Sequence, residues 1–231
     1  IREAWIVNVG DLKFHEVPLT YFMALAYDYD KWGYANKNSC REYTREWVSK
    51  NFVTAGEDIQ QKIGKVLTDY IDINHMRRPE SLNPSIYHAY ENCEADKMLA
   101  KAEAVEAMSV EVYDALEGTD REAYYSMIHF SAMASMNLLK MHLYAAKNAH
   151  YAKQGKPIAN KYGELVKACI QKDREYYDEF GAFKNEKWDG MQMAQHIGFT
   201  KWNEDDYRYP IVMSLEPAHK PRMKVNRKDA A

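Results

Sequence analysis

One stretch limits the architecture of this chain more than any other. After the break at Gly118, Asp120 can cap a helix that runs to Lys153, where Gly155 and Pro157 stop it. At 1.5 Å per residue that span is about 50 Å long. Its middle, from Tyr124 to Ala146, is apolar nearly all round, which predicts the central and most buried helix.

Other helices follow from the same period. Ile59, Ile63, Val66, Leu67, Tyr70 and Ile71 mark one face of an amphipathic helix that ends near Arg78-Pro79. Met98, Ala102, Val105, Ser109, Val112 and Leu116 form a second stripe, on a helix from about Glu91 to Leu116. Leu19 to Lys31 reads as a helix ending at Gly33. Ser39 and Glu42 have the spacing of a capping box for the next helix, whose buried face carries Tyr43, Trp47 and Val48. A last helix carries Ile158, Tyr162, Val166, Cys169, Tyr176 and Phe180.

The two ends differ from this interior. Trp5-Ile6-Val7-Asn8-Val9 is short, apolar and stopped by Gly10-Asp11, as a buried strand is. A strand there needs neighbours that the following helices do not offer, so a preceding domain is expected. After Gly181 the texture becomes aromatic and Gly-punctuated, and Ile211 to Leu215 is a second strand candidate. The fold expected is therefore mostly α: a bundle of about six helices, with a strand before it and the start of a β-rich unit after it.

Composition excludes several function classes. A net charge of −3 leaves no electrostatic footprint for nucleic acid, and the basic run Lys220, Arg222, Lys224, Arg227 and Lys228 reads as a solvated tail. No apolar run is long enough to span a membrane. Cys40, Cys93 and Cys169 lack metal-site spacing, and Cys93 and Cys169 are expected to be buried thiols. A di-iron bundle needs two Glu-x-x-His pairs, and only Glu216-Pro217-Ala218-His219 is present, in a proline-rich tail. His129, His142 and His150 then read as packed or solvated helix histidines. No metal or other cofactor is expected. The chain has no G-x-S-x-G, Walker or G-x-G-x-x-G motif. Glu42, Glu46, Glu103 and Glu106 read as a solvated face.

The segment Asn8 to Glu16 is the strongest candidate for chemistry, because it places five polar side chains between a strand and a helix. At such strand ends α/β barrels carry their active sites. Asn8 can exchange hydrogen bonds with a sugar hydroxyl, and Lys13 can meet a carboxylate as a point charge. The alternative has Asp11 and Glu16 capping helix starts and Lys13 pointing to water.

The run Trp5-Ile6-Val7-Asn8-Val9-Gly10-Asp11-Leu12-Lys13 resembles a stretch of glycoside hydrolase family 115, the xylan α-1,2-glucuronidases. Asn74-His75-Met76-Arg77-Arg78-Pro79-Glu80 resembles that family's RKPE turn. Tyr151 to Gly155 with Ala159-Asn160 resembles its YA-QG…AN junction. Lys187-Trp188-Asp189-Gly190-Met191, His196 to Thr200 and Trp202 resemble its KW-GMM…HIGY…W segment. The likeness extends over about residues 3 to 215.

The resemblance implies an architecture. Residues 1–18 would end a TIM-barrel catalytic domain with its last strand, 19–183 would be the helical bundle, and 184–231 would begin a C-terminal β-rich domain. It also implies removal of glucuronic acid, or its 4-O-methyl ether, from xylose O2 with inversion. One carboxylic acid would protonate the leaving oxygen while another carboxylate activates water. Those carboxylates would come from earlier barrel strands, so none is expected here and the chain alone would be inactive. Asn8, Asp11 and Lys13 are the expected substrate-binding residues, the first foremost. Glucuronoxylan or a xylo-oligosaccharide is the expected partner, with neither nucleic acid nor membrane, a homodimer as an option, and a periplasmic or secreted location. Two departures stand out. Phe14 replaces the proline common after the lysine, and Glu204-Asp205-Asp206 replaces a Gln-Gln-Pro-like stretch. The competing reading is a non-catalytic helical interaction or dimerisation module, with exposed tyrosines facing a partner.

Overall fold

A computed structural model describes residues 3–10, 12–198, 208–216, 218 and 220. Among them the chain is mostly helical, in keeping with a helical bundle, and no strand is present. The α-helices are α1 (Glu16–Tyr27), α2 (Tyr29–Trp32), α3 (Ser39–Asn51), α4 (Glu57–Met76), α5 (Glu94–Ala115), α6 (Gly118–Tyr124), α7 (Phe130–Lys153) and α8 (Ile158–Glu186). Short 3-10 turns stand at Pro79–Ser81 and Glu91–Cys93. The helical run after Gly118 continues to Lys153, as its pattern requires, but passes through a π-helical turn at Tyr125–His129.

The chain divides into two compact units that alternate along the sequence. The first comprises residues 1–73, 104–134 and 177–193, the second 74–103, 135–176 and 194–231. In the first unit Phe52, Ile63, Val66, Ile128 and Phe180 are fully enclosed. Phe52 meets Trp47 and Tyr124 edge-on at 6.0 and 6.3 Å between ring centroids. In the second unit Met136, Leu139, Met141, Leu143, Val166 and Ile197 form the core. Apolar burial of this kind is what offsets the ordering of so many helical residues.

Several local expectations are corrected. The helix expected from Leu19 to Lys31 is broken at Asp28, whose side chain caps α2 by accepting from the Lys31 N–H. Ser39 does not form a capping box: it lies inside α3, and its hydroxyl is engaged with the Tyr21 hydroxyl at 2.9 Å. Glu42 instead accepts from Asn36 Nδ2 at 2.8 Å. Asp120 lies within the first turn of α6, where its carboxylate takes both the N–H and the hydroxyl of Thr54. Cys93 is exposed rather than buried, because it belongs to the 3-10 turn before α5 and has φ +54°. Cys169 is buried, and Cys40 is exposed.

The two strand candidates have no ladder partner among the described residues. Residues 4–10 and 208–216 are without regular structure. Among the described residues no helix is long and apolar enough to cross a membrane.

Candidate functional site

The segment singled out in the sequence turns on itself before α1. Asn8 is exposed, and Asp11 lies outside the described residues. A turn closes where the His15 N–H donates to the Leu12 carbonyl at 3.1 Å. Inside it Lys13 does not face water. Its side chain is 5% exposed, and Nζ donates to Glu16 Oε1 at 2.6 Å. A buried ammonium needs such a partner, and the carboxylate that Lys13 meets is one turn away on its own chain.

Two rings complete the lysine's surroundings. Nζ lies 5.2 Å from the Trp188 ring centroid and 5.6 Å from that of Phe14. Such positions over a π-face attract a cation. Glu16 stands in the first turn of α1, where the helix dipole favours its negative charge. Its second carboxylate oxygen is buried without a hydrogen-bond partner. Burial foremost, and then the charge of Glu16, holds the Tyr70 phenol well above its usual range.

Phe14 explains how the lysine is turned inward. Its φ is +73°, a left-handed conformation that a bulky residue adopts only under constraint. The constraint is its ring, stacked 5.3 Å from Phe130 and tilted 5.0 Å from Phe180. A proline, locked near −65°, cannot take this backbone conformation.

A second polar cluster of the same unit has the residue types of a nucleophile and base. Ser109 Oγ contacts His129 Nδ1 at 2.9 Å and the Tyr124 hydroxyl at 3.0 Å. Ser109 and Tyr124 are fully enclosed, so no substrate reaches that hydroxyl. Burial, only partly offset by the Ser109 hydrogen bond, lowers the His129 pKa to about 4. The cluster satisfies polar groups where the π-turn leaves the regular helical ladder.

The second unit holds the clearest polar construction in the molecule. Asn148 of α7 is fully buried; its Oδ1 accepts the Met213 N–H and its Nδ2 donates to the Met213 carbonyl, both at 2.8 Å. Nδ2 also donates to the Ala159 carbonyl at 2.8 Å. Asn160 of α8 treats Leu215 in the same way, with both bonds at 2.8 Å. Next to Asn148, buried Lys147 pairs with Asp96 at 2.7 Å. On α8, Asp173 accepts from His196 Nε2 at 2.9 Å, while His196 Nδ1 faces the Ala194 carbonyl at 2.9 Å. Acceptors at both nitrogens favour the protonated ring. Burial is the largest influence and lowers its pKa, but the hydrogen bond and charge of Asp173 outweigh it, and the pKa is raised.

Of the sequence candidates, Lys13 is therefore brought against Glu16 and Trp188, while Asn8 stands apart in the exposed stretch. Glu16 and Trp188 were not among the site residues read from the sequence. The lone signal for Trp188 was the Lys187-Trp188 motif. Asn148 and Asn160 were not among those site residues either: Asn160 stood only in the Ala159-Asn160 motif, and for Asn148 the signal is that asparagine in a helix interior is unfavourable and marks a side chain with another use. Of the helix histidines that the sequence left as packed or solvated, His142 is buried and His129 half-buried. Among the described residues no three metal-ligating side chains converge.

No curated protein matches the chain. Residues 1–81 match the family model for Glycosyl hydrolase family 115. The matched stretch contains Trp5 to Lys13 and Asn74 to Glu80, two of the places where the resemblance was read. Over its first 81 residues the chain is thus similar to glycosyl hydrolase family 115.

Proposed function

We propose that the chain is a segment of a xylan α-1,2-glucuronidase that removes glucuronic acid, or its 4-O-methyl ether, from the O2 of backbone xylose in glucuronoxylan. The reading is carried by one observation, the family match over residues 1–81, which includes the turn from Asn8 to Glu16. The reaction is hydrolysis with inversion, by a carboxylic acid and a carboxylate on opposite faces of the sugar. Neither carboxylate is assigned to this chain. They belong to barrel strands elsewhere in the enzyme, so the chain alone is inactive. The chemistry requires no cofactor.

Within this reading Asn8 is the residue that meets the substrate, by hydrogen bonds to a sugar hydroxyl. Asp11 is a further contact. Lys13 is a further substrate contact in this reading, although its ammonium pairs with Glu16 in the turn before α1. The enzyme acts on xylan outside the cytoplasm, in the periplasm or after secretion.

The test compares the chain alone with the whole protein that carries it, on glucuronoxylan. Release of glucuronic acid by the whole protein but not by the pure chain supports the reading. Release by the pure chain would overturn the assignment of the carboxylates to other strands.

A second reading has its own observation. Tyr27, Tyr29 and Tyr34 are 95, 58 and 90% exposed within one short stretch. Tyrosines so displayed suit a protein partner or a second copy of the chain. In that case whole-protein hydrolysis is absent and the tyrosine stretch governs association.

A further inference from the structure

The paired asparagines of the second unit hold an extended segment in a way that needs no side chain from it. Asn148 and Asn160 each accept one N–H and donate to one C=O, from Met213 and Leu215. The two gripped residues are two apart, which is the repeat of an extended chain. Each asparagine amide thus replaces one residue of a neighbouring strand. Between them the segment meets a notch. A Cβ built on Gly163 would lie 2.8 Å from Val212 Cγ1, so only glycine there lets the segment lie this close.

The segment's own side chains contribute little. Ile211 is 82% exposed and Met213 40%, and none of residues 208–216 is buried. The side of the receptor is the reverse: Asn148 is fully buried, with its amide nitrogen donating to Met213 and Ala159 and its oxygen accepting from Met213. A buried amide that reads a segment by its backbone is the arrangement of a peptide-binding site.

We propose that Asn148, Asn160 and Gly163 form a backbone-reading site for an extended peptide, with residues 211–216 of the same chain as its resident ligand. The site selects by backbone pattern. It accepts any residue but proline at the two gripped positions, and a β-branched residue fits between Gly163 and solvent at the position before the first. Because the resident segment is held by main-chain groups, a free peptide with the same pattern competes for the site. The inference is independent of the hydrolase reading.

The test uses the full chain and a fluorescent, end-capped peptide with the sequence of residues 209–216, Tyr-Pro-Ile-Val-Met-Ser-Leu-Glu. The double variant Met213→Pro, Leu215→Pro removes both gripped N–H groups and frees the site in place. Fluorescence anisotropy is expected to show the peptide binding this variant at least tenfold more tightly than the unmodified chain. Adding Asn160→Asp, which puts a carboxylate oxygen where the donor was, is expected to abolish that binding. Absence of binding to the proline variant with unchanged helical circular dichroism overturns the proposal, and so does binding that survives Asn160→Asp. Hydrogen exchange on the unmodified chain gives a second readout that needs no variant. The amides of Met213 and Leu215 exchange at least tenfold more slowly than that of Ser214; equal rates overturn it.

Discussion

Asn148 binds Met213 by both of that residue's main-chain groups, with each hydrogen bond at 2.8 Å. Asn160 repeats the grip on Leu215. At a net value of about 0.5–1.5 kcal/mol per bond, four such bonds hold the segment by roughly 2–6 kcal/mol. That is at or below the roughly 5–15 kcal/mol of a typical domain, so the segment opens without unfolding the helices beneath it.

Gly163→Ala tests this docking by steric means alone. The added methyl would meet Val212 Cγ1 at 2.8 Å and Asn148 Nδ2 at 3.3 Å. Overpacking of this sort costs about 1–3 kcal/mol. The expected result is faster amide exchange at Met213 and Leu215 with helical content unchanged. Alanine is also the better helix former, so a simple gain in stability with undisturbed exchange would show that the segment does not lie against α8.

The buried histidines give the stability a pH dependence of known sign. Burial lowers His142 to about 4, and neither of its ring nitrogens has a hydrogen-bond partner. His129 is likewise lowered to about 4. The unfolded chain therefore takes up these protons first as pH falls from the ordinary value of about 6.5. Their contribution is fully present above that value and is lost on acidification toward pH 4. Each histidine accounts for about 1.5 kcal/mol of loss between pH 6.5 and 5. His196 works in the opposite sense. Its raised pKa stabilises the fold below pH 6.5, and the contribution disappears as pH rises through the folded value. Urea midpoints measured from pH 5 to 8 check both limbs. His142→Leu is expected to shrink the acid loss by about its single share, and Asp173→Asn to flatten the alkaline side.

At the turn before α1 the backbone of Phe14 decides which substitutions are tolerated. With φ at +73°, Phe14→Pro cannot be accommodated without rebuilding the turn, and a cost of about 3 kcal/mol or more is expected. Lys13→Met keeps much of the stem's volume but leaves the Glu16 carboxylate without its cation, and is expected to be the milder change because Glu16 is 29% exposed. Thermal melts rank the two. A proline variant as stable as the parent would mean that the turn does not have this conformation in solution.

Much of the helical framework was legible because burial follows a 3.6-residue period. The stripe from Met98 to Leu116 is buried at every position named from the sequence. The uninterrupted run before Gly155 became helix throughout, but nothing in its composition announced the π-turn at Tyr125–His129. That turn goes with side-chain bonds to Ser109, a contact distant in sequence. The capping box at Ser39 failed for a similar reason, since Tyr21 claimed the hydroxyl. Lys13 was read either as meeting a carboxylate as a substrate-binding residue or as pointing to water. Its partner Glu16 was read as a cap, because pattern alone does not reveal that Phe14 turns the chain inward. The grip of Asn148 on Met213 joins residues far apart in sequence, and only its cost to helix propensity showed beforehand.

The hydrolase reading rests on Asn8 being presented to a sugar, and kinetics on that residue test it most directly. The measurement is kcat/KM for glucuronic acid release from glucuronoxylan by the whole protein that carries this chain, with and without Asn8→Ala. Loss of a hydrogen bond to substrate in the transition state is expected to lower it at least tenfold, about 1.4 kcal/mol, with the melting temperature unchanged. Release of glucuronic acid at an unaltered rate would remove Asn8 from the site, and no release by the whole unmodified protein would contradict the glucuronidase reading itself.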